Sequence, residues 1–204
     1  MKPFLDAFPQ LLDHLVATEA DDLIGSTCGC RNASRTIKCF DCLMSPPTCE
    51  ACFLSAHTHN PTHWAERWNG HFFVRLDISQ LDNYAISLGH GGARCPQNPV
   101  GDKKRAVKFT LCDRTGIHDT KILFCDCIDG GLKPDQLMKA GIFPGSMTSP
   151  ATGFTFNLLK DFHLQASESK KAAFDFISAL RSRSNNADPS KIPVRDLTPT
   201  VARN

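Results

Sequence analysis

The 204-residue sequence has no stretch approaching the roughly 18 to 20 apolar residues needed to cross a bilayer, so a transmembrane span is not expected. Its start, Met1-Lys2-Pro3-Phe4-Leu5-Asp6, puts an acid inside the would-be apolar part of a signal peptide. The chain is therefore read as soluble and unsecreted, with no membrane partner, and the sequon Asn32-Ala33-Ser34 as chance. Internal repeats are missing apart from a recurring Cys-x-Cys pair, Cys28/Cys30 and Cys125/Cys127. An array of carboxylates for two-metal chemistry is missing too: Asp41, Asp126, Asp161 and Asp175 read as turn and helix-surface acids. Cys112 and His118 can be drawn as nucleophile and base, but no acidic partner at an informative spacing and no oxyanion-type glycine turn accompanies them. No catalytic residue and no small-molecule substrate are expected.

Net charge is also scarce, at a formal +2, and it is unevenly spread. Residues 1 to 27 hold one lysine and five acids, which leaves +6 for the remainder. That excess hints at nucleic acid. Nine thiolates around three Zn²⁺ would bring the whole chain to about −1, however, and bulk charge then selects no partner. The one basic run, Lys103-Lys104-Arg105 with Lys108 nearby, reads first as a solvated loop; contact with phosphate or a weak nuclear address is its other reading.

What the sequence has in excess is cysteine, ten residues with eight histidines. In a reducing compartment that many thiols imply a bound metal rather than disulfides. Residues 28 to 63 show almost no apolar periodicity and are dense in Cys, His and Pro, as in a segment held by metal instead of a core. Cys28-x-Cys30, Cys39-x-x-Cys42, Cys49-x-x-Cys52 and His57 with His63 form four successive ligand pairs, enough for two tetrahedral zinc sites. Interleaving assigns Cys28, Cys30, Cys49 and Cys52 to one ion and Cys39, Cys42, His57 and His63 to the other. His59 competes with His57, which is preferred because its spacing from Cys52 resembles that of B-box-type zinc modules. With every position filled by protein, both sites are read as structural. A third zinc is assigned to His90, Cys95, Cys125 and Cys127, with His118 and Cys112 in reserve and Cys112 the expected spare thiol.

The expected fold is α+β. An amphipathic helix over 9 to 20, opened by Pro9, carries an apolar stripe that begins at Phe4 and Leu5 and continues through Phe8, Leu11, Leu12, Leu15 and Val16. Such stripes usually face their own domain, a partner-binding face being the alternative. Short strands are expected at 72–76, 84–88, 107–111 and 121–124, the last two joined by a turn at Asp113-Arg114-Thr115-Gly116, and together forming a small antiparallel sheet. Helices are expected over 134–140, 154–165 and 169–183, the last capped by Ser167, before a loose polar tail from Ser184. The domains are read as an N-terminal helix at 1–27, a cross-brace double zinc module at 28–70, an α+β domain with the third cluster at 71–183, and a tail at 184–204.

These landmarks resemble the Cys-x-Cys cysteine-cluster domain found near the amino end of Kyakuja-Dileera-Zisupton (KDZ) transposases, which abound in mushroom-forming fungi. The resemblance starts at Phe4-Leu5-Asp6 and includes Cys39-x-x-Cys42, Cys49-x-x-Cys52, His57, Pro61-Thr62-His63, Trp68-Asn69-Gly70, Leu88-Gly89-His90 with Cys95, and Gly116-Ile117-His118. It continues through Phe124-Cys125-Asp126-Cys127, Gly141-Ile142-Phe143-Pro144, Phe154-Thr155-Phe156 and Phe174-Asp175-Phe176 with Leu180. Cys112 and His59 depart from the family pattern. The resemblance implies zinc binding, a nuclear address, and recognition of DNA, chromatin or a protein partner. The acidic catalytic region of such transposases lies in a larger downstream part with no counterpart in this sequence. Self-association or protein capture by a B-box-like module is the other expectation; a zinc hydrolase, with one open position at the third site, is the remaining one.

Overall fold

In the computed structural model, residues 2–81, 84–97 and 106–192 are described, and the basic run Lys103-Lys104-Arg105 lies outside them. The chain divides into two compact units, Met1–Leu81 and Asp82–Asn204. Among the described residues, five α-helices and two sheets give the mixed α and β composition the sequence suggests.

The first unit begins with helix α1, Lys2–Ala17, in which Pro9 lies within the helix instead of opening it. The apolar stripe expected to face its own domain does not: Phe4, Leu5, Phe8, Leu11, Leu12, Leu15 and Val16 are all exposed. Strand β1, Ile37–Cys39, pairs antiparallel with β2, Trp64–Trp68, which pairs antiparallel with β3, Phe73–Asp77. The strand expected near Phe72 thus belongs to the cysteine-rich unit and not to a sheet shared with the later strands. Helix α2, Glu50–Ala56, follows Cys49 and buries Phe53. Ile37, Phe53, Trp64, Ala65, Ile78 and Leu81 are buried apolar residues of this small unit, with Pro47. On the sheet, the Arg75 guanidinium lies 4.1 Å from the Trp64 ring centroid and 4.8 Å from that of Phe40. The unit closes on Asp77, which caps the turn Ile78–Gln80 by accepting from the Ser79 N–H at 3.0 Å.

The second unit holds a five-stranded sheet in the order β4-β6-β5-β8-β7, formed by Ile86–Ser87 (β4), Val107–Asp113 (β5), Gly116–Leu123 (β6), Ile142–Pro144 (β7) and Thr152–Thr155 (β8). It is mixed rather than antiparallel throughout: β5/β6 and β7/β8 are antiparallel, whereas β4/β6 and β5/β8 are parallel. Period-two alternation along β5 sends Phe109 and Leu111 to one face and Cys112 to the other. The first face buries Leu88, Ile122, Phe124 and Ile142 together with Leu137 of helix α3, Lys133–Lys139. The second buries Ile117 with Leu158 of α4, Phe156–Ser169, and Phe176 and Leu180 of α5, Ala173–Ser184.

Residues 154 and 155 finish β8 instead of opening a helix, and the Thr155 hydroxyl caps α4 by accepting from the Leu158 N–H at 3.2 Å. Ser167 lies within α4, and α5 starts after Ala172 with no side-chain cap, so the expected Ser167 cap is not made. Ser184 fixes α5 to the sheet, accepting from the Ile117 N–H at 2.7 Å.

At Gly153 β8 runs close against its neighbours. A Cβ there would lie 2.5 Å from Ile142 Cγ2 and 2.9 Å from Phe109 Cζ, inside the packed face. Gly153→Ala should overpack this layer and destabilise the second unit by about 1–3 kcal/mol, measurable as a lower denaturation midpoint with an unchanged m-value.

Candidate metal centres

Among the described residues, three groups of four Cys and His side chains bring their ligand atoms within 4.8 Å of one another: Cys28, Cys30, Cys49 and Cys52; Cys39, Cys42, His57 and His63; and His90, Cys95, Cys125 and Cys127. None of the ten cysteines is joined in a disulfide.

The first group is assembled by two turns. Cys28 and Cys30 sit in the loop before β1, and the antiparallel bridge Ile37 to Thr48 returns the chain so that Cys49 opens α2 and Cys52 lies on its first turn. The Cys30 and Cys49 sulfurs are 3.5 Å apart, and the Cys49 N–H points at Cys28 Sγ from 3.3 Å. In the second group Cys39 ends β1, Cys42 follows on a knuckle, His57 terminates α2 and His63 precedes β2. His63 Nδ1 lies 3.4 Å from Cys39 Sγ and 3.3 Å from Cys42 Sγ, while His57 Nε2 lies 3.6 Å from Cys42 Sγ. His57 Nδ1 is 2.8 Å from the Phe53 carbonyl, a contact that orients the ring and leaves Nε2 facing the thiols. The knuckle is braced by Ser45, whose hydroxyl accepts from the Cys39 N–H at 3.1 Å, and by Asp41, which accepts from the Trp64 N–H at 2.6 Å. His59 is exposed and stands outside the group.

The third group spans the second unit. His90 and Cys95 follow β4, and Cys125 and Cys127 follow β6; because β4 and β6 are parallel neighbours, both segments leave the sheet at the same end. His90 Nε2 lies 3.3 Å from Cys125 Sγ and 3.5 Å from Cys127 Sγ, and Cys95 Sγ lies 3.5 Å from Cys127 Sγ and 3.7 Å from Cys125 Sγ. The approach demands glycine at position 89, where φ is +86° and a Cβ would sit 3.2 Å from Cys125 Cβ. His90 is itself left-handed, at φ 48°.

The reserve residues are elsewhere. Cys112 is buried in the second core, where burial and the Asp113 charge push its thiol up to about 12. His118 is buried and lies 3.0 Å from the Thr115 hydroxyl, which in turn donates to Asp113 at 3.1 Å; the Thr155 hydroxyl also donates to Asp113. Burial opposes ionisation of Asp113, yet these donors hold its carboxyl below the usual range. Lys108 is exposed on β5, directly opposite Lys121 on β6.

The electrostatics of the groups follow from crowding. The backbone N–H groups of Cys30 and Cys49 draw the Cys28 thiol down to about 6, whereas Cys52, beside the sulfurs of Cys49, Cys30 and Cys28, is pushed up to about 12. In the third group burial opposes ionisation of Cys95, but the backbone donors of Asp126 and Gln97 with Cys127 and His90 outweigh it and bring it to about 6. Cys127 rises to about 12 against Cys95 and Cys125, and burial raises Cys39 to about 12. Neighbouring thiols so close cannot all become thiolates without a cation among them, which makes each group a place where a metal ion could be held.

Sequence reasoning missed Gln136. This buried α3 residue accepts from the Cys125 N–H at 2.8 Å and donates to the carbonyls of Cys125 at 3.0 Å and Gly131 at 3.2 Å. Nothing in the local pattern marks it, since its role depends on α3 packing beneath the Cys125 loop.

The family model for the CxC2-like cysteine cluster associated with KDZ transposases matches residues 82–188, just over half of the chain. The chain belongs to this family. The matched segment contains the third group, and the first two groups precede it. No curated protein matches the chain, and no solved structure does.

Gln136→Leu should leave the Cys125 backbone unpaired and weaken metal binding at the third group by about 10- to 100-fold, with the first two groups unaffected. Competition with a chromophoric chelator, read site by site against Cys49 and Cys95 variants, measures this.

Proposed function

We propose that this chain is a non-catalytic binding module of transposase origin, built around three zinc ions, that contacts DNA or chromatin in the nucleus. Membership of a transposase-associated cysteine-cluster family is the observation that carries the reading. The donor chemistry fits zinc: tetrahedral coordination with Zn–S of about 2.3 Å and Zn–N of about 2.0–2.1 Å implies ligand separations of about 3.6–3.8 Å. The sulfur–sulfur and sulfur–nitrogen distances run from 3.3 to 3.7 Å, far beyond a disulfide bond. Cys28, Cys30, Cys49 and Cys52 would hold one ion, Cys39, Cys42, His57 and His63 the second in a B-box-like cross-brace, and His90, Cys95, Cys125 and Cys127 the third. With four protein ligands in each site, no position is left for a reactive water.

The opposed Lys108 and Lys121 support a DNA contact, since like charges facing each other across a strand pair destabilise it unless an anion lies over them. Lys103, Lys104 and Arg105 add three cations next to β5 in the sequence.

A second reading, a protein-interaction module, is favoured by the almost fully exposed Leu43 and Met44 beside Cys42 and by Ile128 and Leu132 beside Cys127. Apolar tips on metal knuckles suit a protein surface better than a phosphate backbone.

Elemental analysis of the native protein should give three zincs per chain. Cys49→Ser should unfold the cysteine-rich segment, because metal free energy there is folding free energy, and the loss should show in zinc content and circular dichroism. For function, duplex DNA binding should weaken steeply with salt, and Lys108→Glu with Lys121→Glu should lower both the affinity and the salt slope, by about one unit per lost phosphate contact. Salt-independent capture of a protein with no DNA affinity would select the second reading.

A further inference from the structure

Helix α1 presents an apolar face that none of the described residues covers. Its seam residues Phe4, Phe8, Leu11 and Leu15 recur at intervals of four, three and four, the spacing of facing positions in a two-stranded coiled coil. All four are exposed, as are Leu5, Leu12 and Val16 beside them. A lone helix of 16 residues is marginal in water, and Pro9 removes one of its hydrogen bonds. The helix therefore needs an apolar partner to persist.

We infer that α1 is a dimerisation helix that pairs antiparallel with α1 of a second copy of this chain. Three observations select that occupant. The first is self-complementarity: in an antiparallel pair Phe4 meets the partner copy's Leu15, Phe8 meets its Leu11, and the flanking Leu5 meets its Leu12. A parallel pair would set Leu5 and Leu12 against Ala7 and His14 instead. The second is charge. The helix starts at Lys2, at its positive dipole end, and is followed by Glu19, Asp21 and Asp22, so antiparallel packing joins unlike ends and parallel packing joins like ones. The third is area. The seven side chains, between 44% and 75% exposed, leave roughly 700 Å² of apolar surface per copy, so a pair removes roughly 1,400 Å², within the range of stable interfaces. A membrane surface is a poorer match, because the polar face carries Asp6 and Asp13 rather than a row of lysine and arginine. The inference is independent of the zinc reading and goes beyond it.

The test uses the full chain. Light scattering after size exclusion at about 10 µM should give twice the monomer mass. Leu11→Glu should weaken the dimer by more than about 100-fold and return the monomer mass, with zinc content unchanged because Leu11 belongs to none of the three metal groups. A photo-crosslinking benzoylphenylalanine in place of Phe4, in a mixture of isotopically light and heavy chains, should join to the partner copy near Leu15. A monomer at that concentration, a dimer that survives Leu11→Glu, or crosslinks that join position 4 to position 4 would each overturn the inference. So would a monomer that binds vesicles of anionic phospholipid through α1.

Discussion

Thiols packed within a few ångströms of one another repel as soon as more than one of them ionises, and only a cation relieves that repulsion. With metal held at its two groups, the first unit would depend on this constraint more than on any apolar core. Its strand β1 has three residues, α2 has seven, and the buried apolar side chains are few. Paired ligands would return the chain to the same two points, and the short elements lie where those returns leave them: α2 is flanked by Cys49 and His57, while β1 ends at Cys39. The second unit is different. Its sheet buries both faces, against Leu137 on one side and Leu158, Phe176 and Leu180 on the other, and His90, Cys95, Cys125 and Cys127 gather at one end of an already packed layer. Metal would organise the first unit and decorate the second.

The grouping of these side chains was legible because Cys and His spacing is a local signal: Cys39-x-x-Cys42 and Cys49-x-x-Cys52 announce themselves whatever the fold. The third group was legible for another reason, since Leu88 and Phe124 each end an apolar run just before a ligand-bearing loop. Less readable were elements whose existence depends on distant partners. Strand β2 at Trp64–Trp68 contains Glu66 and Arg67 and is specified only by pairing with β1 and β3. Residues 154 and 155 look like the start of a helix, but β5 and β7 capture them on either side as the end of β8. Gln136 had no sequence signature at all, because a glutamine in a helix acquires meaning only when a backbone loop lies against it.

The α1 stripe shows a further limit. Periodicity states that a face is apolar but not which chain covers it, and the same seven residues serve equally well for burial within a domain and for burial between molecules. The basic residues behave similarly: Lys108 in isolation is a solvated side chain, and only its register opposite Lys121 turns it into a concentration of charge.

The order of ligands along the chain distinguishes the two units in how they would tolerate evolutionary change. In the first unit Cys39 and Cys42 lie between Cys30 and Cys49, and Cys49 and Cys52 lie between Cys42 and His57. Any cut between Cys30 and His57 separates members of at least one group. In the second unit the interval from Cys95 to Cys125 contains β5 and β6, and the ligands need only the parallel ends of β4 and β6 to remain neighbours. New sequence can be spliced into that interval without disturbing the donors, which makes it the natural place for relatives to differ in length and for a new specificity to be grafted.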